Sequence, residues 1–240
     1  MEEAFRHNGE AMRLWRLLGD DQAAVWCLGT RCVAAAHLGD LDTASAQTNE
    51  ARQIAASVEN PTMMALILYS EGDALMEADP LGALAPLTEA LAFAEAADNV
   101  LMTGIALVSN TSLRGRHGDP YVALRLFEDV IRHWHRGATF TQLWLTLRNL
   151  VELLARLGAH EPAAVLYGAC TASTTAPPSY GPEADRLEAV VSTLVSSLGE
   201  EAFDDAKARG ARLSDDEVVS FASAVTRRLL ADQDVAIASH

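Results

Sequence analysis

Lysine is almost missing from this chain: seventeen of its eighteen basic residues are arginine, and Lys207 is the exception. Lys207 sits in Ala206-Lys207-Ala208, whereas a phosphate-binding loop needs Gly-Lys followed by Ser or Thr. Nucleotide hydrolysis by this stretch is therefore not expected. Cysteine is scarce as well. Cys27, Cys32 and Cys170 make no even framework, which points to a reducing compartment. No Cys-x-x-Cys, His-Glu-x-x-His or Gly-x-Ser-x-Gly occurs, so the common metal and hydrolase signatures are absent and no cofactor is expected. Aromatic residues make up only 6% of the 240 positions, and the longest apolar run, around Met63 to Tyr69, is too short to span a bilayer. Met1-Glu2-Glu3 opens acidic, with no basic-then-apolar leader behind it. Secretion is not expected, and the cytoplasm is the expected location.

Half the residues are apolar and alanine is abundant. Alanine is the best helix former and lets neighbouring helices pack closely, so an all-α protein follows. Arginine in place of lysine, with so much alanine, also goes with the high-GC coding of actinobacteria. The net charge of −15 argues against direct nucleic-acid binding and against binding to an anionic membrane.

Order in the chain comes from a turn. In His117-Gly118-Asp119-Pro120, Gly118 can take a left-handed cap, Asp119 can cap the next helix and Pro120 suits its first position. Comparable turns precede Ala44, Ala83 and Ala163, and the marker alanines 44, 83, 123 and 163 lie 39, 40 and 40 residues apart. A period of roughly 40 residues, each holding two helix-length segments, predicts a right-handed α-solenoid of antiparallel helix pairs. Four residues after the markers come Thr48, Leu87, Phe127 and Tyr167, and seven after them Ala51, Ala90, Val130 and Cys170. That stripe should pack inside each hairpin.

The expected organisation is about four repeats over residues 1–172, a Pro-rich loop at 173–182, a three-helix cap at 183–231 and a frayed tail at 232–240. In this phase residues 1–18 form a second helix without its first, so the chain opens in mid-repeat. Ser214-Asp215-Asp216-Glu217 is a capping box for the last helix.

Candidate chemistry is thin. Cys27 and Cys32 read as buried small residues. His133 and His135 lie two apart, about 200° around a helix, and so cannot share an ion; Trp134 between them reads as a packing residue. His37, His117 and His160 neighbour turns of different repeats, and since successive repeats lie about 10 Å apart they cannot converge either. Glu200, Glu201, Asp204 and Asp205 read as a solvated first helical turn. One asymmetry stands out. From Leu113 to Arg156 there are seven arginines against four acids, a surplus of three that leaves −18 for the rest. A solvated arginine face accounts for this; an anion-recognising zone is the functional alternative. With Leu147, Leu150, Val151 and Leu154 facing inward, Arg148, Asn149, Glu152 and Arg156 should reach the concave surface. Together with Arg116 they are the candidate groove contacts. No catalytic or metal-binding residue is assigned.

The turn Gly-Asp-x-x-x-Ala, with bulk four residues on and a small residue at seven, resembles the tetratricopeptide repeat in the longer form found in large bacterial signalling ATPases. The end of the chain is Ala163-Ala164-Val165-Leu166-Tyr167-Gly168-Ala169, the Pro-rich loop, Leu198-Gly199-Glu200-Glu201-Ala202-Phe203 and Gly210-x-x-Leu213-Ser214-x-x-Glu217. It resembles the C-terminal region of actinobacterial LuxR-type or adenylate-cyclase-linked ATPase transcriptional regulators. The resemblance implies a sensor or partner-binding region, with an ATPase module ahead of it and a helix-turn-helix behind it in the family. The chain is therefore expected to be a non-catalytic regulatory module that binds a protein, a peptide or a small effector. The alternatives are a stand-alone adaptor that dimerises or docks through its N-terminal helix, and an enzyme on a helical scaffold.

Overall fold

Turn chemistry sets the helix boundaries. The computed structural model describes residues 2–137, 139–179 and 181–238. Among them run twelve α-helices and no strand: α1 Glu2–Leu18, α2 Asp21–His37, α3 Leu41–Val58, α4 Pro61–Leu75, α5 Leu84–Ala96, α6 Val100–His117, α7 Pro120–Arg136, α8 Phe140–Arg156, α9 His160–Ala172, α10 Pro182–Leu198, α11 Glu200–Gly210 and α12 Asp215–Ala238. The protein is all-α, and no helix among the described residues is long and apolar enough to cross a membrane.

Side-chain caps explain the regular spacing. Asp20, Asp40, Asn60, Asp79, Asn99 and Asp119 each accept a hydrogen bond from a backbone N–H two or three residues on, at 2.8 to 3.0 Å. All but Asp79, which caps a turn, satisfy donors that a helix start leaves orphaned. An Asp or Asn therefore falls at nearly every twentieth residue, half the period of the marker alanines. The last helix starts as expected: Ser214 and Glu217 bond reciprocally, Ser214 N donating to Glu217 Oε2 at 2.8 Å.

The chain divides into two units, one up to Leu113 and one from Arg114, with the division inside α6. It does not fall at the Pro-rich loop. In the first unit α1 packs on α2, α2 on α3 and α4, α3 on α4, and α4 on α5. Small residues allow the approach: a Cβ at Gly29 would lie 2.7 Å from Ser70 Oγ on α4. The core there is Val25, Leu28, Ala51, Ala55, Ile67 and Met102. In the second unit α7 packs on α8 and α8 on α9, while α10 covers α8 and α9, α11 lies along α9, and α12 runs against α7 and α9. Its buried side chains are larger, among them Phe127, Trp134, Trp144 and Leu147.

The marker alanines 44, 83, 123 and 163 are all buried, as are Leu87, Phe127, Ala51, Ala90 and Val130, while Tyr167 is half-buried. Cys27, Cys32, Cys170 and Trp134 are buried as expected.

Local details differ from the expectations. Residues 232–238, expected as a frayed tail, continue α12 through Ala238, with Arg125 of α7 3.7 Å from Asp234; Ser239 and His240 lie outside the described residues. After the turn that precedes Ala83, the helix starts only at Leu84, because Asp79 caps a turn through Gly82 before the helix begins. Gly118 is not left-handed. That conformation occurs at Gly19, Gly39, Gly158 and, without glycine, at Glu59 and Asp98. The Gly118 carbonyl instead accepts from Arg156 Nη1 at 3.0 Å, which orients this turn.

Candidate functional site

The helix α8 carries four of the five candidate groove residues; Arg148 is buried, Asn149 and Glu152 are half-buried and Arg156 is exposed, and each bonds within the protein. Leu147, Leu150, Val151 and Leu154 are buried, as the periodicity requires. Arg148 does not reach the surface: it is only 5% exposed. Its Nε donates to Glu183 Oε1 at 3.1 Å and its Nη2 to Glu183 Oε2 at 3.4 Å, while Nη1 donates to the Pro177 carbonyl. One turn earlier Trp144 Nε1 donates to Thr175 Oγ1 at 2.9 Å. Arg148 and Trp144 thus tie the Pro-rich segment and the first turn of α10 down onto α8. The covering helix α10 is what turned an expected groove contact into an internal tie. Under the segment lies a cavity of about 210 Å³ lined in part by Arg148, Cys170 and Pro177, and burial pushes the Cys170 thiol up to about 12.

Glu152 pairs with Arg186 of α10 at 3.3 Å. Burial pushes its carboxyl above the usual range, against the pull of Arg186 and Arg116. Arg156 Nη1 donates to the carbonyls of Gly115 at 2.7 Å and Gly118 at 3.0 Å, satisfying the end of α6. Asn149 Nδ2 donates to the Leu145 carbonyl one turn back. The structure therefore sets Arg148 and Glu152 against α10, with Arg116 near Glu152, and places Arg156 at the end of α6.

A different cluster was not foreseen. On α4 in the first unit, Tyr69 and Asp73 lie one turn apart, beside Ser109 of α6 and His37 at the end of α2. Burial raises the Tyr69 hydroxyl above its ordinary value; Asp73 raises it further, and a hydrogen bond with the Ser109 side chain opposes the shift. Burial also raises the Asp73 carboxyl, which the His37 charge lowers and Glu77 raises again. Close by, Cys32 is pushed up to about 12, by burial first and then by Asp73 and Glu71. Half-buried polar groups grouped on one helix face make this a candidate binding site. The signal was present in the sequence as Tyr-x-x-x-Asp at helical spacing, but Tyr69 ends the apolar run and reads there as core.

The cluster can donate and accept hydrogen bonds. It contains no nucleophile activated by a base: the cysteine is driven towards its neutral, unreactive form. Among the described residues no group of three or more His, Cys, Asp or Glu is placed to hold a metal ion. Comparison with protein-family models, with curated proteins and with solved structures finds no match.

Proposed function

We propose that this chain is a non-catalytic binding module of a regulatory protein, carried on a tetratricopeptide-like α-solenoid with a helical cap. The observation that carries the binding reading is the Tyr69–Asp73 pair on α4, two half-buried polar groups one turn apart beside His37 and Ser109. In a helical-pair solenoid the first helices of successive pairs line the concave face; α2, α4 and α6 are those helices under the repeat phase. The packing of α2 on both α3 and α4 supports that phase. Such a face recognises a protein, a peptide or a small effector through a few placed polar groups. The sequence resemblance makes the owner a bacterial signalling ATPase or LuxR-type transcription regulator, with this chain as its sensor.

Selection of displayed peptides against the purified chain tests the reading. Selected binders should protect the amides of α2 and α4 from exchange. They should lose about tenfold in affinity on Tyr69→Phe combined with Asp73→Asn, as two lost ligand hydrogen bonds would require. Binders that ignore both substitutions, or no binder at all, would overturn it. An ATPase module in the same reading frame or an adjacent one is the expected genomic setting.

A second reading has its own observation. Leu14, Trp15, Leu17, Leu18 and Trp26 are all exposed on α1 and α2, and an apolar patch of this kind serves association. In that reading the chain is an adaptor that pairs with a second copy through its N-terminal helix.

A further inference from the structure

A cleft of about 310 Å³ opens in the second unit where α9, the end of α11 and α12 meet. Its size is at the small end of ligand sites. Val165, Phe221 and Val225 form apolar walls, and Glu161, Arg209 and Arg228 stand at the rim. Beside the cleft α9 and α11 are in close contact: Gly210 lets α11 come against the Val165 carbonyl so closely that a Cβ there would overlap it. The charges at the rim do not balance. Glu161 Oε1 is held by Arg209 Nη2 at 2.6 Å, which uses the only carboxylate lining the cleft. Arg228 lines the same cleft, and its side chain makes no ion pair or hydrogen bond with any described residue.

An unengaged guanidinium above an apolar, aromatic-walled slot has a definite complement. It is a monoanion with a planar head and an apolar body: the head takes a forked pair of N–H donors and the body fills the slot. A cationic ligand would meet two arginines against one neutralised carboxylate. A dianion would have only one unengaged guanidinium to meet. We propose that this cleft is a binding site for a small monocarboxylate with an apolar chain or ring, with Arg228 receiving the carboxylate and Phe221, Val165 and Val225 enclosing the body. The site lies within the second unit and does not depend on the Tyr69–Asp73 reading.

Calorimetric titration of the full chain with octanoate below its micelle concentration, with octanol as the uncharged match, tests the site. Octanoate should bind saturably and protect amides in 161–165 and 221–228 from exchange, and octanol should bind at least about tenfold more weakly. Arg228→Ala, a change at an exposed position, should cost octanoate about tenfold in affinity, while Arg228→Lys keeps much of the binding. Glu161→Gln should strengthen binding by releasing Arg209, an effect with no counterpart for octanol. Equal binding of octanol, an unchanged affinity in Arg228→Ala, or protection confined to other segments would each overturn the assignment.

Discussion

Removing the Arg148 guanidinium would leave Glu183 facing a largely buried gap, and the Pro177 carbonyl would lose its donor. Deleting one partner of a buried pair is the costly half of such a change, since the surviving charge remains desolvated. Glu183 keeps some water contact, which reduces the penalty. Arg148→Ala should therefore lower stability by about 2–4 kcal/mol in urea unfolding, and Arg148→Ala with Glu183→Gln should cost less than the single change. Asp73 predicts the opposite sign. Its carboxyl is raised above its ordinary value of 3.8, chiefly by burial. The folded state therefore holds its proton longer than the unfolded chain does, and stability falls as pH rises from the ordinary carboxylate range through the raised value. Asp73→Asn should stabilise the protein at neutral pH, with the gain disappearing below about pH 4. A stabilising change that also weakens ligand binding is the pattern expected of a residue kept for function. Of these residues, the sequence made Arg148 visible but not its burial. Helical periodicity places it one step from the Leu147–Leu150 face, and only the cover from α10 decides that it points into protein.

At the scale of elements, glycine decides which helices may touch. A Cβ at Gly168 on α9 would overlap the Lys207 carbonyl, and one at Gly210 would overlap that of Val165. Backbone cannot yield as a flexible side chain does, so α9 and α11 would have to part. Gly168→Ala and Gly210→Ala should each lower stability by about 1–3 kcal/mol, although alanine is the better helix former. Gly115 is the control: its Cβ would meet Phe127 at 3.5 Å, ordinary contact, so Gly115→Ala should be neutral or stabilising by up to about 1 kcal/mol. Urea midpoints of the three variants measure the contrast. The helices themselves were legible, because Asp and Asn caps and the alanine stripe are local signals. The start of α5 and the persistence of α12 were not. The first depends on a turn capped by Asp79, and the second has no stop signal that periodicity encodes. The pairing of α9 with α11 was hidden for the same reason: a helical glycine looks like a weakness until the neighbouring backbone is seen.

At the scale of the whole molecule, a net charge of −15 opposes indiscriminate association, and the exposed apolar residues near the N-terminus favour it. Leu17 and Leu18 are 73% and 74% exposed, and Trp15 and Trp26 are exposed with them. They are not needed for packing within the first unit, whose core lies on α2, α3, α4, α5 and α6. The expected result is self-association that salt strengthens, since screening weakens the like-charge repulsion between copies but leaves the hydrophobic term intact. Sedimentation velocity at low and high salt reads this directly. Leu17→Glu with Leu18→Glu should abolish the larger species while shifting the urea midpoint little, because changes at such exposed positions stay within about 0.5 kcal/mol. A chain that sediments as a monomer at high salt and high concentration rules out the adaptor reading, and leaves the polar face of α4 as the route to a partner.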